Sequence, residues 1–113
     1  MDLDAYLIAA RRTVNPALDD RDRTLDAAAG MAEEAAEVLG LLRKRAFQNR
    51  EVSRERLVEE LGDVLWCLAM TADSVGVTLN EVAKANVDKL AKRHPDGFAA
   101  PRGPEDWNRS PKE

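Results

Sequence analysis

Polar and turn-forming residues divide the chain into four stretches whose apolar positions recur at helical spacing. From Leu3 to about Val14, the residues Tyr6, Leu7, Ala10, Thr13 and Val14 form a stripe behind an Asp2 cap, which predicts a first helix. Asn15-Pro16 ends it, because the residue before proline is steered out of the helical region. The run from Ala17 to Arg23 is charged and reads as a turn, and Thr24 is placed to cap a second helix over about Leu25 to Phe47. If Ala35 marks the centre of its apolar side, Ala28, Met31, Ala32, Val38, Leu39, Leu42 and Ala46 lie within roughly a quarter turn. Gly30 and Gly40 weaken this helix and predict close packing where they fall. A third helix starts behind Ser53, with Val52 and Leu57 at the spacing of a hydrophobic staple, and stops at Gly76. Its apolar side centres on Leu61 and includes Leu57, Val58, Val64, Leu65, Leu68, Ala72 and Val75. Thr78 and Glu81 have the capping-box spacing that opens a fourth helix at about Leu79. From His94 onward four of the five prolines occur, so the remainder reads as an extended tail. The pattern predicts an all-α domain.

Acids sit out of place in this pattern, and they do so twice. Residues 33–39 read EEAAEVL and residues 59–65 read EELGDVL. On a helix, positions three apart share a face, so Glu34 with Glu37 and Glu60 with Asp63 each point the same way. Glu34 and Glu60 fall at the margin of the apolar sides, whereas Glu33 and Glu59 point to water. Most such pairs on amphipathic helices are simply solvated. Here the repetition and the margin position favour convergence, and four converging carboxylates need a cation, since a charge removed from water without a partner costs several kcal/mol or more. The donors are oxygens only, which selects a hard ion such as Mg2+ or Mn2+ over zinc or copper. A di-iron site would pair Glu with His three residues on, and neither copy has that His.

Composition narrows the function further. A chain of 113 residues is one domain with a modest core. With 17 basic and 21 acidic residues the net charge is -4, which argues against a general nucleic-acid binder. The single cysteine, Cys67, forms no internal disulfide and reads as a small core residue in a reducing compartment. The N-terminus has acids where a signal peptide has a basic region, and no apolar run is of membrane-spanning length. These features predict a cytoplasmic protein that does not use a membrane.

Two cationic features stand beside the acids. Between Arg43 and Arg56 lie Arg43, Lys44, Arg45, Arg50, Arg54 and Arg56, which read either as a solvated connector or as a phosphate-attracting rim. On the fourth helix Asn86, Lys89 and Arg93 share the side of Leu79, Val82, Ala83 and Leu90. Lys89 and Arg93 either complement the helix C-terminus or pair with acids or phosphate. His94 reads as a helix-end residue, Phe98 and Trp107 as anchors for the tail, and Trp66 as part of a subunit interface.

Taken together, E-x-x-E at Glu34 and Glu37, E-x-x-D at Glu60 and Asp63 within ELGDVLW, and NVDKLAKRHPDGF from Asn86 to Phe98 resemble the MazG-like nucleoside triphosphate pyrophosphohydrolases. The likeness runs from about Tyr6 to Phe98, which divides the chain into a helical domain over 1–98 and a tail over 99–113. Three spaced motifs in order make the signal specific. Relatives often carry Tyr where this chain has His94. The resemblance implies a four-helix-bundle-like MazG fold, built of a helical hairpin pair, in a homodimer or homotetramer. It implies Glu34, Glu37, Glu60 and Asp63 as Mg2+ ligands and catalytic carboxylates, Asn86, Lys89 and Arg93 as substrate contacts, and conversion of a (d)NTP to (d)NMP and pyrophosphate. Relatives specialised for dUTP, dCTP or phosphoribosyl-ATP, and a non-catalytic metal-binding oligomerisation module, are the other readings the residues admit.

Overall fold

The computed structural model describes residues 1–100, so Trp107 and the expectations for the rest of the tail lie outside the described residues. Four helices form, α1 Leu3–Arg11, α2 Asp20–Phe47, α3 Arg54–Ser74 and α4 Leu79–Arg93, with no strand among the described residues. The chain is all-α, as its periodicity predicts. It divides into two compact units, Met1–Leu79 and the part from Asn80 onward.

In the first unit α2 and α3 pack side by side as a hairpin, and α1 packs on α3. The core is small: Leu7 and Ala10 of α1, Ala27 of α2, Ala69 and Met70 of α3, and Leu79, ringed by Leu3, Tyr6, Val14, Leu65, Trp66 and Leu68. Local chemistry fixes the helix ends. The Asp2 side chain accepts from Ala5 N at 2.8 Å and the Ser53 side chain from Arg56 N at 3.1 Å, as expected of caps. At the end of α3, Gly76 takes φ 77, its N–H donates to Asp73 O at 3.1 Å, and Val77 N donates to Ala72 O at 2.9 Å. That pair of bonds satisfies carbonyls the helix itself leaves open.

Several expectations change. The helix over Leu3 to Val14 stops at Arg11, where Thr13 N and its hydroxyl both turn back to Ala10 O and Asn15 Oδ1 accepts from Ala17 N. Thr24 does not cap α2. Asp19 does, accepting from Asp22 N at 2.8 Å, so the charged run read as a turn is mostly the first turn of the helix, where Asp20 and Asp22 suit the dipole. Thr24 lies inside, its hydroxyl 2.9 Å from both the Asp20 carbonyl and the Ser74 hydroxyl. Gly30 is closely packed, since a Cβ there would meet Cys67 Sγ at 3.0 Å, but Gly40 faces open space. Trp66 packs against the core of its own chain and donates its indole N–H to Thr13 Oγ1 at 2.8 Å, so its partial burial does not require a subunit interface.

The apolar centres also move. Ala35 is exposed and Leu39 and Leu61 are 58% and 49% exposed. The side of α2 turned inward carries Ala27, Gly30, Met31, Glu34, Val38 and Leu41, about a quarter turn from the expected centre. Glu34, which the pattern puts at the margin, stands in the middle of the inward side.

Candidate metal centre

Gly30 and Cys67 set the spacing at which α2 and α3 meet. One turn beyond Gly30 on α2 is Glu34, half-buried, and two turns before Cys67 on α3 is Glu60, 8% exposed. Asp63, one turn past Glu60, is exposed at the same edge. Glu34, Glu60 and Asp63 each bring a carboxylate oxygen to within 4.8 Å of the others. These three are the expected site residues that the fold draws together. Glu37 is exposed and stands outside the triplet, although its charge still acts on Glu34.

Electrostatics around the triplet are those of an anion cluster short of cations. Burial pushes the Glu34 carboxyl above its ordinary value, and the charges of Asp63, Glu60 and Glu37 push the same way, as does a hydrogen bond with Glu60. Burial likewise raises the Cys67 thiol, with Glu34, Asp63, Asp26 and Glu33 adding to it, so the thiol stays protonated and unreactive. The Tyr6 phenol of α1 is raised by burial first and then by Cys67 and Asp63. Against these negative groups stands Arg56, whose Nη2 lies 3.0 Å from Glu60 Oε1. Sequence reading had assigned Arg56 to the basic connector. The four-residue spacing to Glu60 was visible, but only the burial of Glu60 makes that spacing consequential.

Oxygen donors from two helices, drawn together with one guanidinium against them, fit a hard divalent cation, which would supply the missing positive charge. Cys67 presents a protonated, buried thiol packed on Gly30, which gives no reason to favour a softer metal.

A different charged cluster ties the helices together. Asp73 of α3 accepts from Arg11 Nη2 of α1 at 2.7 Å and from Arg23 Nη2 of α2 at 2.6 Å, with Arg11 Nε at 3.2 Å. The hydrogen bonds from Arg11 chiefly, and those from Arg23, hold the Asp73 carboxyl below the usual range against the opposing effect of burial. This cluster is structural.

The second unit is described by itself. Asn86, Lys89 and Arg93 are exposed along α4, at spacings of three and four that keep them in one stripe. Lys84 pairs with Asp88 at 2.8 Å, and the helix closes with His94 N donating to Leu90 O at 2.8 Å. Phe98 folds back on its own helix end, its ring centroid 5.8 Å from that of His94.

An all-α hairpin with a carboxylate triplet across it is the arrangement of a helical metal-binding domain. Residues 23–98 match the MazG nucleotide pyrophosphohydrolase domain, and the chain belongs to that family. It is 32% identical over 105 residues to the Gene 37 protein of Mycobacterium phage L5, covering 86% of this chain and 92% of that protein. It is also 44% identical over 45 residues to the uncharacterized protein YvdC of Bacillus subtilis (strain 168), covering 40% of this chain and 42% of YvdC, so it spans less than half of that relative. No solved structure shows significant similarity to the chain.

Proposed function

We propose that the protein is a Mg2+-dependent nucleoside triphosphate pyrophosphohydrolase that converts a (d)NTP to its monophosphate and pyrophosphate in the cytoplasm, clearing or regulating the nucleotide pool. The observation that carries this reading is the triplet of Glu34, Glu60 and Asp63, with oxygens within 4.8 Å, inside the segment matched to the pyrophosphohydrolase family. Glu34, Glu60 and Asp63 would hold the ion, and Glu37, one turn from Glu34, would complete the set. A divalent ion held there would supply positive charge to phosphate oxygens and lower the pKa of a water. One carboxylate of the set orients the attacking water and accepts its proton as the phosphoanhydride opens. Asn86, Lys89 and Arg93 contact the nucleotide, with the arginine fork suited to phosphate and the lysine acting as a point charge.

The active form is a homo-oligomer. Leu25, Leu39, Val58 and Leu61 are large apolar side chains about half exposed on α2 and α3, surface that a second copy would bury. Among the described residues no helix is long and apolar enough to cross a membrane.

The test is release of pyrophosphate and monophosphate from the common NTPs and dNTPs, dUTP included, with Mg2+ and with excess chelator. Mg2+-dependent release that Glu60→Gln reduces by about 100-fold or more, with helicity retained, is the expected result. Equal turnover by that variant would remove the assigned site. Silence across the panel together with tight Mg2+ binding would point to the non-catalytic module.

A further inference from the structure

The segment joining α2 to α3 has a charge distribution that the carboxylate centre does not use. Between Arg43 and Arg56 six cations stand against two carboxylates, Glu51 and Glu55, in a chain whose net charge is -4. Arg56 pairs with Glu60. Arg43, Lys44, Arg45, Arg50 and Arg54 are exposed and, among the described residues, make no ion pair. Like charges at this density repel one another, and an external anion relieves that repulsion.

The segment also has a defined shape. Gln48 N and Arg50 N both donate to Lys44 O, at 3.1 and 3.2 Å, and Asn49 between them takes φ 50, the left-handed conformation that asparagine tolerates. The chain therefore reverses sharply before Ser53 caps α3. Beside the turn lies a hollow of about 560 Å3, open to solvent and lined by Arg45, Asn49, Arg50, Glu51, Val52 and Ser53, roomy enough for a small anion. Its wall carries Arg45 and Arg50, the Asn49 amide and the capped start of α3 at Ser53, with one carboxylate, Glu51, against the two arginines.

We propose that this cavity binds a compact polyphosphate anion the size of a triphosphate, held by Arg45 and Arg50. Guanidinium forks match phosphate oxygens in pairs. A compact anion fits better than a nucleic acid, because the chain outside this segment is more acidic than its net charge of -4 and repels a longer polyanion. The lining shares no residue with Glu34, Glu60 and Asp63, so the site goes beyond the pyrophosphohydrolase reading and stands without it.

Isothermal titration of inorganic tripolyphosphate into the full chain, in EDTA, tests it. Wild type and Glu60→Gln are expected to bind alike, with affinity falling as NaCl rises. The double variant Arg45→Gln/Arg50→Gln is expected to bind about tenfold more weakly or worse. Both arginines are exposed, so the double variant folds, as circular dichroism can verify. Absence of wild-type binding in EDTA, or equal binding by the double variant, overturns the proposal. So does tighter binding of a single-stranded oligonucleotide of equal charge, which would assign the surface to nucleic acid.

Discussion

Glu34 shows how a residue of the proposed metal centre acts against the fold that holds it. Its carboxyl is raised by burial and by Asp63, Glu60 and Glu37, so the folded chain holds that proton more tightly than the unfolded chain does. The resulting stabilisation is complete below the ordinary glutamate value and is lost as pH rises through the folded one. At neutral pH the ionised Glu34 therefore weakens the metal-free fold. Glu34→Gln should raise the melting temperature at pH 7 in chelator by a few degrees, and the gain should shrink toward pH 4. Added Mg2+ should stabilise wild type but not the variant. A lower melting temperature for Glu34→Gln in chelator would contradict the assignment. The repeated acid pairs made this residue legible in the sequence. The pattern puts Glu34 and Glu60 at the margin of their apolar sides; that Glu60 is only 8% exposed depends on how α2 and α3 pack, which spacing along one helix does not carry.

Among the elements, the contact that joins α1, α2 and α3 is Asp73 between Arg11 and Arg23. Its lowered carboxyl works in the opposite sense to Glu34: the stabilisation is present above the ordinary aspartate value and disappears as pH falls through the depressed one. Asp73→Asn should lower the melting temperature at pH 7 by about 5 °C, equivalent to roughly 1 kcal/mol at this chain length once solvent screening is allowed for. Its acid unfolding profile should also be flatter than that of wild type. Thermal melts between pH 7 and pH 3 read both effects, and parallel profiles would show that the cluster carries no such linkage. Local signals sufficed for the Asp2, Ser53 and Gly76 boundaries, because each depends on residues within a few positions. The start of α2 was harder, since Asp19 and Thr24 both have cap chemistry and only the helix that forms decides between them. An ion pair between residues 62 apart, such as Arg11 with Asp73, leaves no periodic trace at all.

For the whole molecule, the core is small and leucines on α2 and α3 are half exposed, surface that the proposed association would bury. Sedimentation at micromolar concentration should give a homo-oligomer, and Leu61→Glu should shift it toward monomer while leaving the helices intact. A wild-type monomer at that concentration would remove this expectation. The all-α architecture was plain from spacing alone, whereas the apolar sides were assigned about a quarter turn away on α2. Those exposed positions, Ala35 and Leu39 among them, are the ones a second copy of the chain would cover.

The contact between Gly30 and Cys67 has a consequence for ionic radius. A Cβ at position 30 would meet Sγ at 3.0 Å, so a methyl there needs a few tenths of an ångström from the Cys67 side chain or from the helices. If the helices give, Gly30→Ala parts α2 from α3 and draws the oxygens of Glu34 away from those of Glu60 and Asp63. Mg2+ tolerates such widening less well than larger ions do. The variant should lose Mg2+ affinity relative to Mn2+ or Ca2+. Discrimination between ions would then be tuned by a residue that touches none of them.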